Sequence, residues 1–204
     1  MNHLFPPELR TAAVVPRWTI VRTLNRDNVA IHSYFVQFYA LQIARLINWA
    51  GPLADLMFVA AMHDIEETIT GDQVSPVKRE IIDEDKAAKY ISDQMKARLP
   101  LIEAQLEATM ESMWGPSIER IVKVADKVDA CIFLITEQRM GNAVLEPLFN
   151  DATLNLRKAW EDLGTEIYGE EDDEKLLAHD EAWYREIWPA VQVHWKYGGV
   201  GVGV

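Results

Sequence analysis

The stretch MHDIEETITGD, residues 62–72, is the most informative part of the chain. It places His63 and Asp64 next to each other in a segment of helical periodicity that begins with the apolar run 58–61. A charged side chain among apolar neighbours is costly unless it is paired or binds a metal. Glu67 follows His63 by four residues, so on a helix the polar side chains can converge on one surface. The pattern predicts a buried polar site.

A second His-Asp pair, His179-Asp180, serves as an internal control for this interpretation. It is followed by Glu181 and lies in an acid-rich, amphipathic region. A helix of this kind usually turns its charged side chains to water. We therefore expect His179-Asp180 to be a solvated face that binds no metal, in contrast to His63-Asp64.

A metal site at His63-Asp64 needs ligands from other segments. His32 is the other histidine that falls inside an apolar helix, and a carboxylate from a further core helix would complete the set. The segment 118–140 offers Asp126 and Asp129, and a helical phase of about 100° per residue slightly favours Asp129. Two imidazoles and two carboxylates suit Mn, Fe, Co, Ni or Zn better than Ca.

Helical periodicity dominates the whole chain, and few segments alternate as strands do. The pattern predicts one all-α domain over residues 1–197, followed by a frayed Gly/Val-rich tail at 198–204. Ser117 is a candidate N-cap for the helix that carries the two aspartates. The expected helices span residues 28–50, 53–69, 83–99, 101–113, 118–140, 150–163 and 175–196.

Composition excludes several classes of protein. The chain has 204 residues, of which 49% are hydrophobic and 25% charged, as in ordinary globular domains. Its net charge of −12 argues against polymeric nucleic acid as a partner. No apolar run is long enough to span a membrane. The single cysteine, Cys131, is typical of a protein in a reducing cytoplasm. A small anionic ligand remains compatible with the charge, since a metal and a few cations can invert the local field.

Two segments outside the His-Asp helix carry candidate ligand-binding residues. Arg17-Trp18 combines a bidentate anion fork with a flat stacking surface, although an aromatic anchor beside a surface arginine is as common. Downstream, Asp72 and Lys78 place a carboxylate and an ammonium a few residues apart. Lys78 could contact a phosphate, or it could be a solvated lysine that opens the next helix.

The ordered set of motifs resembles the HD-domain metal phosphohydrolases. More narrowly, it is similar to the bacterial 5′-deoxynucleotidases of the YfbR type and to phage-encoded relatives that hydrolyse dATP. The resemblance covers roughly residues 16–140 and implies a single all-α HD-domain helical bundle with a mononuclear metal site. The matching elements are Arg17-Trp18, Asn28-Val29 before His32-Ser33, His63-Asp64-x-x-Glu67, Thr70-Gly71-Asp72 leading to Ser75-Pro76-Val77-Lys78, and Val124-Ala125-Asp126.

The resemblance also assigns roles to residues. It implies one divalent transition metal (Co, Mn, Zn, Ni or Fe) held by His32, His63, Asp64 and Asp126, so that Asp126 replaces Asp129 in the ligand set. Glu67 falls on the general acid/base position, and Asp72 on the position that senses the 3′-hydroxyl of deoxyribose. The implied substrate contacts are Arg17 and Lys78 to phosphate, Trp18 to sugar and base, Ile20 to a stacked purine, and Ser75.

The function implied by the resemblance is metal-dependent hydrolysis of deoxyribonucleotides. We expect a 5′-deoxynucleotidase that releases deoxynucleoside and phosphate. A dATP-preferring triphosphohydrolase and a catalytically silent nucleotide-binding protein are the alternatives. The resemblance further implies a homodimer or higher homo-oligomer, located in the cytoplasm (of the host, if phage-encoded).

Overall fold

The computed structural model describes residues 6–72 and 84–197, and within these ranges the regular structure is helical. The expected all-α class is confirmed. Short 3₁₀ turns at Ala12–Val14 and Ala143–Leu145 and a π-helical turn at Trp183–Ile187 join some of the helices. The helices are α1 (Glu8–Thr11), α2 (Val29–Leu46), α3 (Leu53–Met62), α4 (Glu67–Thr70), α5 (Glu84–Arg98), α6 (Pro100–Met110), α7 (Gly115–Arg139), α8 (Glu146–Tyr168), α9 (Asp173–Ala182) and α10 (Trp188–Tyr197).

Helix α7 is the centre of the domain. It packs against α2, α3, α8 and α10, and its apolar side chains are buried on several sides. Ala125 and Leu134 are both buried although, nine residues apart at about 100° per residue, they point to opposite sides of the helix. A helix enclosed in this way has no single apolar stripe. Helical phase alone therefore could not decide between Asp126 and Asp129.

Helix α2 brings His32 into the core. The Asn28 side chain caps its N-terminus by accepting a hydrogen bond from the Ile31 amide at 3.0 Å. One helical face then carries His32, Val36, Ala40 and Ile43, spaced by three or four residues and all buried. Because this face packs on α7, the imidazole of His32 lies against the central helix.

The helix expected over residues 53–69 is interrupted, so that prediction of a continuous helix is wrong. Helix α3 ends at Met62, and α4 begins at Glu67. Between them the backbone bonds join residues three apart, such as the Ile65 amide to the Met62 carbonyl at 3.0 Å. Side chains also bond helix carbonyls here: His63 Nδ1 lies 2.9 Å from the Ala60 oxygen, and the Thr68 hydroxyl donates to the Ile65 oxygen. Such bonds compete with the regular helical ladder.

Ser117 is not the N-cap of the central helix. Helix α7 begins at Gly115, with Trp114 at the cap and Pro116 in the first turn, where proline is well tolerated. The Ser117 hydroxyl donates to the Trp114 carbonyl at 2.9 Å and accepts from Trp49 Nε1 at 3.1 Å. The serine thus joins the helix start to the segment after α2.

The prediction of a solvated face at His179 is also wrong. His179 is only 6% exposed, and its ring stacks on Trp160 with centroids 4.0 Å apart. Its Nε2 donates to the Trp160 carbonyl at 2.8 Å, and Trp160 Nε1 donates to the His179 carbonyl at 3.0 Å. Gly164 makes the close approach possible, since a Cβ there would lie 2.6 Å from the imidazole. Asp180 points the other way and pairs with Arg157.

Burial of His179 predicts a pH-dependent stability. Burial lowers the pKa of His179, so the folded state takes up this proton at lower pH than the unfolded chain, whose imidazole titrates near 6.5. As pH falls from about 6.5 towards the folded-state pKa, the unfolded state binds more protons and the free energy of unfolding declines, by at most about 1.4 kcal/mol per pH unit. Urea unfolding of the wild type and of His179→Gln should show a flatter decline in the variant. Parallel declines in the two proteins would contradict the assignment to His179.

None of the described helices is both long enough and apolar enough to cross a membrane. The proposed tail at 198–204 lies outside the described residues. The extent of the domain, residues 1–197, stays a prediction.

Candidate metal centre

Side chains from three separate segments converge beside α7. His32 Nε2 of α2 lies 3.1 Å from His63 Nε2, which follows α3. The Oδ2 atom of Asp64 lies 3.4 Å from both of these nitrogens, and Asp126 Oδ1 of α7 lies 3.4 Å from His32 Nε2. The ligand atoms of His32, His63 and Asp126 all lie within 4.8 Å of one another. The structure therefore brings together the four residues of the expected ligand set.

The outward partners of the two histidines fix which nitrogen faces the cluster. His63 Nδ1 lies 2.9 Å from the Ala60 carbonyl, and His32 Nδ1 lies 2.6 Å from Asp129 Oδ2. Assigned from these partners, each ring in its neutral form carries its proton on Nδ1 and turns a lone pair on Nε2 towards the other ring. Two imidazole lone pairs and two carboxylate oxygens then face one another, an arrangement that favours a cation between them.

The spacing of these atoms fits a divalent transition metal. Ligands about 2.1 Å from a tetrahedral zinc ion are about 3.4 Å from one another, and four of the separations, from 3.1 to 3.4 Å, agree. The ligand atoms of His63 and Asp126 lie within 4.8 Å of each other. The mixed nitrogen and oxygen donors also suit Mn, Fe, Co and Ni. The residues present thus fit one such ion, without selecting among these metals.

The pKa shifts of the clustered side chains also indicate that the site favours a positive charge. Burial lowers the pKa of His32, but hydrogen bonds to Asp126 and Asp129 outweigh this effect and raise the pKa to about 9. Burial raises the pKa of Asp126, but its hydrogen bond to His32 and the charge of Lys127 outweigh burial and lower it. Both shifts favour a charged pair at the centre, where a proton on His32 Nε2 occupies the place that a metal would take.

Asp126 and Asp129 lie on opposite sides of the His32 ring. Asp126 lies near Nε2, on the edge of the ring that faces His63, whereas Asp129 contacts Nδ1 on the opposite edge. Asp129 is the more buried of the two, which explains why helical phase favoured it. Its position is that of a carboxylate that orients a ligating histidine and raises its basicity.

Arg17 joins the loop before α2 to this centre. Its guanidinium lies 3.6 Å from Asp27, 3.7 Å from Asp129 and 4.0 Å from Asp126. These are ion-pair distances longer than hydrogen bonds, so the guanidinium is held near the centre without being saturated by the carboxylates.

Trp18 follows Arg17 and stacks on Phe133 of α7, with ring centroids 5.1 Å apart and planes 7° from parallel. Its backbone has φ of 62°, a conformation that non-glycine residues rarely adopt. The stack and the turn fix the direction of the indole. Ile20, two residues later, is 66% exposed.

The remaining expected residues are only partly located. Glu67 is 5% exposed at the start of α4, and its amide bonds the Asp64 carbonyl at 3.0 Å, which ties it to the ligand pair. Asp72 is half-buried and follows Gly71, whose φ of 73° turns the chain after α4. Ser75 and Lys78 lie outside the described residues.

Sequence reasoning missed three residues of the site. Asp27 pairs with Arg17, Phe133 stacks on Trp18, and Lys127 places its ammonium 2.6 Å from Asp126 Oδ2. Phe133 was detectable, because it lies on the same helical face as Asp126 and Asp129, four residues after Asp129. Asp27 had no such signal, since its partner is fixed by loop geometry.

Comparison with protein families gives a match over most of the chain. The family model described as "5'-deoxynucleotidase YfbR-like" matches residues 5–166. The protein named 5'-deoxynucleotidase YfbR from Salmonella paratyphi B is 30% identical, with 78% of this chain and 86% of that protein covered. The same-named protein from Salmonella newport matches equally well.

Two solved structures with a similar fold are HD phosphohydrolases. One is the cyanophage S-2L HD phosphohydrolase DatZ, bound to dA and one catalytic Zn²⁺ ion, with a TM-score of 0.65, 19% identity, and 95% of this chain and 99% of that chain covered. Another is an HD-domain phosphohydrolase from Listeria innocua, with a TM-score of 0.63, 19% identity, and 93% and 89% covered. At these identities the likeness establishes the HD-domain fold.

Proposed function

The chain belongs to the 5'-deoxynucleotidase YfbR-like family, and from this premise we propose that it hydrolyses deoxyribonucleoside 5′-monophosphates to deoxynucleosides and phosphate. The observation that carries the proposal is the convergence of His32, His63, Asp64 and Asp126, with the Arg17 guanidinium beside them. This arrangement combines a metal-binding donor set with a cation for phosphate, which is what phosphoester hydrolysis requires.

One divalent transition metal would be held by the two Nε2 atoms and by one oxygen from each of Asp64 and Asp126. When bound, such an ion supplies Lewis-acid polarisation and lowers the pKa of water. Asp129 would keep His32 oriented through the 2.6 Å contact to Nδ1. The identity of the metal is open within Co, Mn, Zn, Ni and Fe.

The chain itself would handle the proton and the phosphate charge. Glu67 would act as general base towards the attacking water, since it is buried three residues after Asp64 and its amide bonds the Asp64 carbonyl. Arg17 and Lys78 would neutralise the charge that spreads over the phosphoryl oxygens as the leaving oxygen departs. Lys127, held at Asp126, is a further cation at the same place.

Selection for a deoxyribonucleotide would come from the loop and from the segment after α4. Trp18, fixed on Phe133, would pack against the sugar and base, and Ile20 would line the outer side of a purine. Asp72 would accept a hydrogen bond from the 3′-hydroxyl, and Ser75 would add a polar contact. A close wall at Trp18 would leave no room for a 2′-hydroxyl.

The charges near the centre favour a monophosphate over a triphosphate. Among the described cations, Arg17 and Lys127 lie within ion-pair distance of Asp126, and Arg17 is also shared with Asp27 and Asp129. The other loop arginines, Arg22 and Arg26, are exposed. A triphosphate carries more negative charge and needs more cationic contacts.

Product analysis tests the proposed reaction. The protein loaded with Co²⁺ or Mn²⁺ should release inorganic phosphate from dAMP, release it more slowly from AMP, and leave dATP intact, as followed by phosphorus NMR. Release of tripolyphosphate from dATP without phosphate from dAMP would instead support the dATP-preferring triphosphohydrolase. Tight binding of dAMP with no turnover by any of the five metals would support the catalytically silent alternative.

Two further expectations accompany this proposal. We propose a homodimer or higher homo-oligomer, which light scattering on the purified protein would test. We also propose a cytoplasmic location, consistent with a single, fully buried cysteine, Cys131.

A further inference from the structure

Glu137 is a buried carboxylate that the proposed reaction does not use. It is 0% exposed, near the C-terminal end of α7. Its Oε2 accepts from the Leu24 amide at 2.6 Å, and its Oε1 accepts from the Asn25 amide at 2.7 Å. Glutamate is rarely buried to this degree unless its oxygens are bonded, because desolvation of the carboxylate is costly. Here both oxygens bind the backbone of a segment more than one hundred residues earlier in the chain.

The segment held in this way is the loop 17–27, which carries Arg17 and Trp18. Its two ends are already joined, because the Arg17 amide bonds the Asp27 carbonyl at 3.2 Å and residues 16 and 28 form an isolated antiparallel bridge. Glu137 therefore anchors the far part of a loop whose base is closed. Asn142 assists, since its Nδ2 donates to Glu137 Oε2 at 2.9 Å and to the Arg22 carbonyl at 2.8 Å.

Four side chains on one face of α7 meet successive parts of the site. Asp126, Asp129, Phe133 and Glu137 are spaced by three, four and four residues, which places them along one line of the helix. Asp126 belongs to the metal centre, Asp129 contacts His32 and Arg17, and Phe133 stacks on Trp18. Glu137 then holds the loop one turn beyond Phe133. The helix thus fixes the distance between the loop and the metal centre.

We propose that Glu137 is a positioning residue for substrate binding, which acts by holding the loop 17–27 so that Arg17 and Trp18 face the metal centre. The inference rests on the proposed function, because it assigns those two side chains to the substrate. Trp18 needs such support, since its backbone is in the sparsely populated left-handed region. Glu137 itself lies three turns of α7 beyond Asp126, and its role passes through the loop.

Glu137→Gln tests the proposal with a change of nearly equal size. The amide group keeps one acceptor but presents a donor to one of the two loop amides, which loses its bond. Because a buried donor is then unsatisfied, we expect KM for dAMP to rise by about tenfold, with kcat and metal content close to those of the wild type. Hydrogen exchange at the Leu24 and Asn25 amides should become faster. Glu166→Gln, an exposed glutamate of α8, is the matched control and should change none of these values.

A second variant keeps the proposal testable if Glu137→Gln does not fold. Asn142→Ala removes the assisting amide but leaves the two bonds of Glu137 to the loop backbone, so we expect a smaller shift of KM in the same direction. Three results for Glu137→Gln would overturn the proposal. The first is unchanged hydrogen exchange at the Leu24 and Asn25 amides, and the second is faster exchange with an unchanged KM. The third is a loss of metal together with a fall in kcat. If the wild type releases no phosphate from dAMP, the proposed function fails. Faster exchange in the variant would then support the anchoring of the loop and overturn its role in binding this substrate.

Discussion

Glu67→Gln should lower kcat for dAMP by orders of magnitude while leaving the metal content of the protein near that of the wild type. Glutamine keeps the size and hydrogen-bonding capacity of the buried side chain but cannot accept the proton of the attacking water. General acid–base catalysis contributes about 10²–10⁴-fold, so kcat should fall by about that factor. Steady-state kinetics and elemental analysis of the same preparation give the two quantities.

The neighbouring glutamate provides the control for this prediction. Glu66→Gln makes the same chemical change one residue earlier, at a more exposed position, and should keep kcat within a small factor of the wild type. If Glu67→Gln lost its metal along with its activity, Glu67 would be a ligand or a structural residue and the assignment as general base would be wrong. Equal losses in the two variants would point to a general disturbance of α4.

Asp126→Asn and Asp129→Asn should have different effects on the metal, although the residues are three apart on the same helix. Asp126 Oδ1 faces the cluster, so its replacement removes a proposed charged ligand and should leave the purified protein with little metal and no measurable turnover. Asp129 contacts the far nitrogen of His32, so its replacement should retain the ligand set and weaken metal binding by about 10–100-fold.

The two variants are matched to each other in size and in loss of charge, which makes each the control for the other. Calorimetric titration of the metal-free proteins with Co²⁺ measures the two affinities, and elemental analysis gives the metal retained on purification. A protein that keeps its metal in Asp126→Asn and loses it in Asp129→Asn would reverse the assignment. Asp129 would then be the ligand, as helical phase alone suggested.

The two histidine-aspartate pairs differ in surroundings that the local sequence pattern does not predict. His179-Asp180 places its histidine in the interior, whereas the histidine of His63-Asp64 is only partly buried, with 14% of its side chain exposed. What separates them is the set of groups that the fold brings near. His63 meets a second imidazole and two carboxylates, whereas His179 meets the ring and carbonyl of Trp160. Composition of the flanking sequence predicted a buried His63-Asp64 pair, which is in fact half-buried, and missed the burial of His179, because Gly164 and Trp160 lie in another helix.

The amino-acid sequence by itself determined the all-α class, the approximate helices and the set of residues able to bind a metal, because helical periodicity and residue type are local properties. Only the tertiary structure decided that Asp126 faces the cluster while Asp129 stands behind His32, that the helix breaks after Met62, and that Phe133 and Glu137 hold the loop of Arg17 and Trp18. The physical reason is that a buried polar or aromatic group must satisfy its contacts with whatever packing places beside it. For Glu137 those partners lie more than one hundred residues away, where no local pattern can indicate them.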